Sequence, residues 1–377
     1  MTVIIFIAVL SLLVFVHEWG HYFSARRLGI KAEEFGFGFP PRLIGWYRNS
    51  AGKWRKIKGN KPVEELPEEP AGTIYSINAL PIGGFVRIKG ENGDNRENDS
   101  FAAKAAWKRA IVLCAGVLMN VILAAFLFSL GYLVGLPQSV SGDMPHAKII
   151  QPRVAILETL AGSAAEEAGL QAGDIILSVG DRVPETEAAL QEIVAETPED
   201  EALSLQIKRG TEELEFEIAP RYNEEVGRNS LGVAISATGT VRYPFFWAFY
   251  YGFRDTFATL WAIILAFAAM IAAIFQGQGV SGQLAGPVGI AQIAGEAARL
   301  GIGHLISLTI LLSLNLAVLN ILPFPALDGG RLLFLVIEKI KGSPVRRETE
   351  AMIHNIGFLL LMLLVVFVTY KDIVKLF

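Results

Sequence analysis

Residues 2–23 read TVIIFIAVLSLLVFVHEWGHYF, an apolar run interrupted by the segment HEWGH at residues 17–21. The run is long enough to cross a hydrocarbon core of about 30 Å as one α-helix. Ionisable side chains inside such a helix are costly, and they usually mark a functional site. The stretch therefore predicts a retained membrane helix, with its N-terminus outside and a polar functional site in its second half.

The segment at 17–21 has the pattern H-E-x-x-H. His17 and His21 lie on one helical face about one turn apart, so both imidazoles can reach one tetrahedral zinc ion. Glu18, beside the first of them, can take a proton from a metal-bound water. A chance match, or histidines buried for packing, is the alternative. Because the chain has only five histidines and two fall here, the pattern favours a zinc site.

The composition is typical of a polytopic membrane protein, since 52% of the 377 residues are hydrophobic and the mean hydropathy is +0.43. The net charge of −4 argues against nucleic acid as a partner. Four apolar runs are predicted to cross the lipid bilayer. They are 2–23, 110–136, 302–322 and 352–370, and a fifth run, 257–275, is nearly as apolar.

Loop charge determines the predicted orientation. Residues 24–109 hold 16 Lys and Arg against 10 Asp and Glu, whereas residues 137–246 hold 8 against 19. Lys and Arg accumulate in cytoplasmic loops. The first loop and the basic loop at 331–351 are therefore placed in the cytoplasm, and the acidic region outside. The predicted location is the cell (inner, cytoplasmic) membrane.

A zinc hydrolase needs a third protein ligand and leaves the fourth position to water. The run 302–322 is followed by PFPALDGG at 323–330, where two prolines end the helix and Asp328 precedes two glycines. Asp328 is a candidate third ligand. It is also a candidate N-cap of the next helix, and the residues alone leave both interpretations open.

The two motifs together resemble the site-2 protease family of intramembrane zinc metalloproteases, and most closely its bacterial RseP-type regulator-of-sigma-E proteases. The second motif reads N-x-x-P-x-P-x-x-D-G from Asn320 to Gly329. The resemblance covers nearly the whole chain. It includes PIGGFVR at 81–87, Gly116-x-x-x-Asn120, and Gly286-Pro287.

This resemblance implies a Zn²⁺ cofactor with His17, His21 and Asp328 as ligands. It implies Glu18 as the catalytic base and Asn320 as an assistant near the scissile carbonyl, although Asn320 could instead be a polar helix contact. A Gly-x-x-x-Asn face can also serve only to let two helices approach closely. The suggested substrate-binding positions are Gly83, Gly84, Phe85, Gly116 and Asn120.

The implied reaction is hydrolysis of a peptide bond in a transmembrane helix of a single-span membrane protein, such as an anti-sigma factor or a remnant signal peptide. Two other functions are compatible with parts of the sequence. An inactive scaffold would be expected to lack Glu18 or a zinc ligand, and none is missing. A membrane-anchored zincin acting on soluble chains usually takes a glutamate from a soluble domain as its third ligand.

The acidic external region has the composition of a soluble domain. Alternating runs at 203–207 and 214–218 predict two strands joined by a hairpin at 209–211. Residues 147–221 resemble a single protease-type PDZ domain. Such domains bind extended chain ends by strand addition. Exclusion of folded ectodomains is the other use, and the sequence does not choose between the two.

The first loop is predicted to be β-like at 35–41 and 74–88, with a charged and mobile segment at 48–70 between them. The resemblance implies a cytoplasmic membrane-re-entrant β-hairpin that presents a strand edge to the substrate. A helical substrate must unwind before hydrolysis, and its freed backbone groups then need partners inside the bilayer. A strand edge supplies those partners.

The predicted fold is a polytopic α-helical membrane protein with four transmembrane helices, a membrane-associated helix, an inserted α+β PDZ domain and the re-entrant hairpin. The predicted divisions are 1–136, 147–221, 244–300 and 301–377. Residues 244–300 must begin and end outside, so their apolar helix is expected to lie on or dip into the outer leaflet. The alternative is a true span paired with a second crossing within 282–300.

Overall fold

A computed structural model of the chain describes residues 2–374 except 62–64, 67, 69, 92–96, 141–143, 200, 211, 224–226 and 278–285. It divides into a helical unit, Met1–Phe128 with Tyr251–Phe377, and a sheet unit, Ser129–Tyr250. In chain order the elements are α1 (Thr2–Arg27), β1 (Ala32–Arg48), β2 (Trp54–Lys58), β3 (Ile74–Ile88), α2 (Ala106–Val134), β4 (Leu136–Ser139), β5 (Lys148–Thr159), α3 (Ala164–Ala168), β6 (Ile175–Val179), α4 (Glu187–Glu196), β7 (Leu203–Arg209), β8 (Glu212–Ile218), β9 (Arg221–Asn223), β10 (Arg228–Ser230), β11 (Val233–Arg242), α5 (Phe245–Phe275), α6 (Pro287–Leu300), α7 (Ile302–Ile321), α8 (Asp328–Lys341) and α9 (Arg347–Val374).

The predicted apolar runs all form long helices. α1, α2, α5, α7 and α9 are each long and apolar enough to cross a membrane. Large apolar side chains of α5 and α9 are exposed, for example Phe257 and Phe358. A helix that is apolar on its exposed side as well as its packed side is typical of a membrane segment. The prediction of several membrane helices is therefore confirmed.

Small and buried residues join α1, α2 and α7. A Cβ atom added at Gly20 of α1 would lie 2.3 Å from the carbonyl oxygen of Ala115 in α2, so the two backbones are in direct contact. Asn120 of α2 is fully buried, and its carbonyl oxygen accepts a hydrogen bond of 2.8 Å from the Ser313 hydroxyl of α7. Membrane helices commonly associate through small residues and interhelical hydrogen bonds of this kind. The three helices form a tight core around the polar segment of α1.

The strands β1, β2 and β3 form one antiparallel sheet in which the two long strands bend and interleave. Residues 35–37 of β1 pair on one side with 84–86 of β3 and on the other side with 75–77. The segment 84–88 therefore forms one edge of the sheet among the described strands, and β2 forms the other. The β-like prediction for this loop is confirmed.

The same sheet differs from the sequence prediction in its middle. The segment 48–70 was expected to be mobile, but Trp54–Lys58 forms β2 and pairs with residues 44–48 of β1. Ile57 is buried in this pairing together with Tyr47 and Ile74. Charge alone suggested mobility, whereas one buried apolar residue and a neighbouring strand are enough to order residues 54–58.

The sheet unit contains a six-stranded antiparallel sheet in the order β4-β11-β5-β6-β7-β8, together with α3 and α4. β7 and β8 pair on either side of Gly210, as predicted. The sheet extends beyond the predicted domain 147–221, because β4 and β11 lie outside that range. Sequence alone missed β11 because a second hairpin, β9-β10, separates it from β8. The core of the unit includes Val154, Ile156, Ile176, Leu190, Leu205 and Ile207.

Candidate metal centre

Two helices bring three candidate metal ligands to one point. His17 and His21 lie on the same face of α1, and Asp328 is the first residue of α8. The His17 Nε2, His21 Nε2 and Asp328 Oδ2 atoms are 3.0–3.2 Å from one another. A tetrahedral zinc ion with bonds of about 2.0–2.1 Å holds its ligand atoms about 3.3 Å apart. The donor set and its spacing therefore fit zinc.

The hydrogen bond at the far side of the His21 ring determines its tautomer. His21 Nδ1 lies 2.8 Å from the carbonyl oxygen of Val112 in α2, which can only accept. Nδ1 therefore carries the hydrogen and donates it, which leaves the Nε2 lone pair directed at the metal position. Metal-ligating histidines commonly have such a partner on the second nitrogen.

Asn120 does the same for His17. Its amide nitrogen is assigned 3.3 Å from His17 Nδ1, while its amide oxygen is buried without a partner among the described residues. Amide oxygen and nitrogen are assigned from the hydrogen-bond network. With the amide turned so that its oxygen faces the ring, His17 Nδ1–H donates to the Asn120 oxygen, and the His17 Nε2 lone pair is directed at the metal position. Asn120 is thus a partner of a zinc-ligand candidate.

Gly116 lies against the two imidazoles. A Cβ atom built there would be 2.5 Å from His21 Nε2 and 2.8 Å from His17 Nε2. A side chain of any size would therefore occupy the space between the ligand nitrogens. The Gly-x-x-x-Asn face of α2 serves close helix contact through Ala115 and also provides room and orientation for the ligands.

The backbone of β3 runs beside α1 and reaches Glu18. The Glu18 carboxylate accepts a hydrogen bond of 3.1 Å from the Val86 N–H. About two turns before Glu18 on α1, the Ser11 hydroxyl donates to the Pro81 carbonyl and accepts from the Gly83 N–H. A Cβ atom at Gly83 would lie 2.7 Å from the Val14 side chain, so this approach needs glycine. Glu18 therefore lies between the metal ligands on its own helix and the edge of the sheet.

The turn before α8 positions Asp328. Leu327 is the N-cap of α8, and Asp328 follows as its first residue, so the N-cap interpretation does not fit. Cβ atoms at Gly329 and Gly330 would lie 2.2 Å from the Leu322 carbonyl oxygen and 2.3 Å from the Phe324 carbonyl oxygen. The two glycines therefore allow the chain to fold back tightly after its prolines and present Asp328 to α1.

The structure thus brings together His17, His21, Asp328, Gly116 and Asn120, and it places Glu18 beside the β3 backbone. Asn320 is partly exposed near the end of α7 and makes no side-chain hydrogen bond to the described residues. Its assisting role stays a prediction, as do substrate-binding roles for Gly83, Gly84 and Phe85. Sequence reasoning missed the Val112 carbonyl and the Val86 amide, because backbone groups leave no signal in side-chain identity.

The comparison with protein families decides the assignment. The model of peptidase family M50 matches residues 5–56 and 66–364, which is most of the chain. The chain belongs to peptidase family M50. It is a zinc metalloprotease of the site-2 type, as the motifs predicted, and the family prediction is confirmed.

Similar curated proteins match the full length of this M50 chain. The zinc metalloprotease RasP of Oceanobacillus iheyensis is 30% identical over 438 residues, covering 100% of this chain and 99% of the relative. The regulator of sigma-W protease RasP of Bacillus subtilis is 30% identical over 458 residues, with the same coverage. The zinc metalloprotease RasP of Geobacillus kaustophilus is 29% identical over 461 residues, covering 100% and 98%.

Two solved PDZ domains also match parts of this M50 chain. The PDZ domain of an SdrC-like protein from Listeria monocytogenes has a TM-score of 0.21 and 14% identity, covering 26% of this chain and 93% of that domain. The ligand-bound HtrA3 PDZ domain has a TM-score of 0.17 and 29% identity, covering 20% and 88%.

Proposed function

We propose that this zinc metalloprotease hydrolyses a peptide bond inside a transmembrane segment of a single-span membrane protein. One observation carries the proposal. Three ligand atoms lie within 3.0–3.2 Å of one another, two of them on the apolar, membrane-competent helix α1 and one on the first residue of α8. A metal centre built into such helices serves substrates in the bilayer rather than soluble ones. One relative is named for regulating sigma-W, which favours an anti-sigma factor as the substrate class.

His17, His21 and Asp328 would hold the zinc ion, which would polarise the scissile carbonyl and acidify a bound water. Glu18 acts as the base that removes a proton from the attacking water and returns it to the leaving amine. The Val86 N–H orients the Glu18 carboxylate through its hydrogen bond. Asn320 is assigned to assist near the scissile carbonyl.

The sheet β1-β2-β3 is proposed to hold the unwound substrate. Its edge segment 84–88 lies beside the catalytic helix, where the Val86 N–H already binds Glu18. An extended substrate strand can pair with such an edge and satisfy its freed backbone groups. Exposed apolar side chains at the bends favour insertion of this hairpin into the membrane; they are Phe39, Leu43, Leu80 and Ile82.

The zinc ligands provide the direct test. We expect His17→Ala, His21→Ala and Asp328→Ala each to abolish stoichiometric zinc and cleavage of a model transmembrane substrate, because each removes one of three ligands. Glu18→Gln should keep zinc and lose cleavage, because the glutamate is a base and not a ligand. Metal analysis and cleavage assays of the four purified proteins measure both properties.

Full activity with stoichiometric zinc in Asp328→Ala would place the third ligand elsewhere. An active Glu18→Gln protein would remove the proposed base. An inactive scaffold that binds partners through the sheet unit is the alternative function, and wild-type cleavage in the same assay separates it from the protease.

Four of the five membrane-competent helices are proposed to cross the bilayer, with α5 as the exception. The metal ligands must share one depth, so α7 runs from outside to inside and ends before Asp328. Gly286 and Gly289 at the start of α6 bind the Asp372 carboxylate near the end of α9, and Gly295 packs on Thr2 at the start of α1. These contacts support an external position for α6.

The segment before α6 is too short for an easy return crossing. Eleven residues, 276–286, separate α5 from α6, and a helix of that length rises only about 16 Å. An extended crossing would leave backbone groups unpaired in lipid. α5 therefore lies on or dips into the outer leaflet.

Cysteine labelling tests this topology at Gln278, which lies outside the described residues. In a Cys114→Ser background, Gln278→Cys should react with a membrane-impermeant thiol reagent in intact cells, because both ends of 244–286 are external. Lys31→Cys in the cytoplasmic loop is the matched control and should react only after permeabilisation. Labelling of Gln278→Cys only after permeabilisation would show that α5 crosses the membrane.

We assign the sheet unit to an external PDZ domain that binds extended peptide. Among the described residues, β11 pairs with β4 at 238–241, so the start of β11 at 233–236 presents an edge of the described sheet beside α4. A small cavity there is lined by Leu190, Val194, Leu231, Val233 and Ile235. Strand addition with apolar side chains in such a groove is the PDZ mode of recognition. Size exclusion of bulky ectodomains is the other use of the domain.

Removal of the domain separates these uses from catalysis. Replacing residues 144–242 with a short linker should leave zinc binding intact, because all three ligands lie outside that range. Substrates with large ectodomains should be cut more readily if the domain is a filter, and trimmed substrates less readily if it binds peptide. Metal analysis and cleavage of a matched pair of long and trimmed substrates provide the measurement. Loss of zinc on deletion would contradict the assignment.

A further inference from the structure

The loop that carries Asp328 is held by the last helix, and we propose that His354 of α9 is a positioning residue for the zinc centre. This inference rests on the proposed zinc site. His354 Nδ1 accepts a hydrogen bond of 2.9 Å from the backbone N–H of Ala326, two residues before Asp328. His354 does not touch the ligand atoms, so it acts through the backbone of this loop.

Ala326 needs such a partner because of its conformation. It has φ of +78°, in the left-handed region that residues with a Cβ atom rarely adopt. Such a conformation persists only where the surroundings hold it in place. The Ala326 N–H is the group that His354 binds, so the hydrogen bond favours the backbone geometry that turns Asp328 toward α1.

The packing of α9 on the loop holds His354 within hydrogen-bonding distance of Ala326. Gly357 lies one turn after His354, and a Cβ atom there would be 2.4 Å from Pro325 Cβ and 2.7 Å from the Pro325 carbonyl oxygen. The His354 ring also lies against Phe334 of α8, with the ring centres 5.4 Å apart. α9 therefore contacts the loop at Pro325 and Ala326, and it also contacts the helix that begins with Asp328.

The hydrogen bond at Nδ1 determines the tautomer of the His354 ring. Because Nδ1 accepts a hydrogen bond, Nε2 carries the hydrogen, and it is buried without a protein partner among the described residues. His354 also lines a cavity of about 790 Å³ that contains Arg109, Glu338 and Glu350. The ring thus presents Nδ1 as an acceptor to the loop, while its Nε2–H is enclosed by the protein.

The position of the acceptor provides a sharp test. His354→Asn places an amide oxygen where Nδ1 lies, His354→Gln moves it one bond further, and His354→Phe keeps the ring without an acceptor. We expect the Phe and Gln variants to lose zinc affinity by about 10-fold, the lower end of the range for direct partners of metal ligands, because His354 acts on Asp328 through the backbone. The Asn variant should remain close to wild type.

Two readouts identify the cause. Chelator competition gives zinc affinity, and the visible absorption of the cobalt(II)-loaded protein reports ligand geometry, which should change in the Phe and Gln variants and not in the Asn variant. His304→Phe, in the first turn of α7, is the matched control and should change neither. In cleavage assays the Phe variant should lower kcat and leave KM unchanged.

An unaltered zinc affinity and cobalt spectrum in a folded His354→Phe protein would overturn the inference. Equal losses in the Phe and Asn variants would also overturn it, because ring packing rather than the acceptor would then hold the loop. If the wild-type protein itself binds no zinc, the proposed function fails. If the wild-type protein binds zinc and the His354 variants bind it with the same affinity and cobalt spectrum, the inference fails and the proposed function stands.

Discussion

Gly116→Ala is expected to abolish zinc binding and proteolysis. The new Cβ atom would lie 2.5 Å from His21 Nε2 and 2.8 Å from His17 Nε2, well inside van der Waals contact and in the space that the ion needs. Moving α1 and α2 apart would be costly, because it would break the close backbone contact between Gly20 of α1 and Ala115 of α2. One methyl group should therefore have the effect of removing a ligand.

Metal analysis and chelator competition on the purified variant measure this effect. Leu118→Met, two residues away on an exposed part of α2, is the matched control and should bind zinc normally. A melting profile of the metal-free proteins distinguishes a blocked site from a misfolded one, and the Gly116→Ala protein is expected to stay folded. Stoichiometric zinc at unchanged affinity in Gly116→Ala would contradict the geometry.

The sequence predicted the chemistry of α1 better than it predicted the groups that surround α1. The spacing of His17, Glu18 and His21 follows from helical periodicity alone, so their shared face needed no tertiary information. Asp328 lies more than 300 residues away, and its role as ligand or N-cap could be decided only by resemblance or by three-dimensional proximity. Periodicity gives no distance between elements that are remote in the chain.

Asn120 and Gly116 show a different limit. Their spacing indicated a face for close helix packing or for substrate, whereas the structure places them against the rings of His17 and His21. A glycine that leaves room and an amide that determines a tautomer act through what they contact. Such roles become visible only when the neighbouring helix is known.

The two β regions differ in how much the sequence could predict. Local alternation was sufficient for β7 and β8, because a short hairpin joins them. It was not sufficient for β11, which follows a second hairpin and pairs with β4 and β5 far away in the chain. The interleaving of β1 with β3 depends on both strands bending, which alternation does not encode.

A buried ion pair joins Glu34 and Arg42 within β1, and Glu34→Gln is expected to disrupt the bent sheet. Arg42 Nε and a terminal guanidinium nitrogen donate to the two Glu34 oxygens at 2.8 Å, and both side chains are only about 4% exposed. Removing one partner of a buried pair leaves an uncompensated charge and costs about 3–5 kcal/mol. β1 should then lose its bend and its pairing with β3.

The consequence for function follows from where β3 lies. Its segment 81–86 runs along α1 and binds Glu18 through the Val86 N–H, so a loosened sheet should lower cleavage at least tenfold. Zinc should be retained, because the three ligands come from α1 and α8. Hydrogen exchange of the β1 and β3 amides, metal content and substrate cleavage together separate this result from loss of the metal centre.

Arg55→Met, which removes the exposed pair Arg55–Glu68 beside the same sheet, is the matched control and should leave all three unchanged. Wild-type exchange rates and cleavage in Glu34→Gln would show that the bend does not depend on this pair.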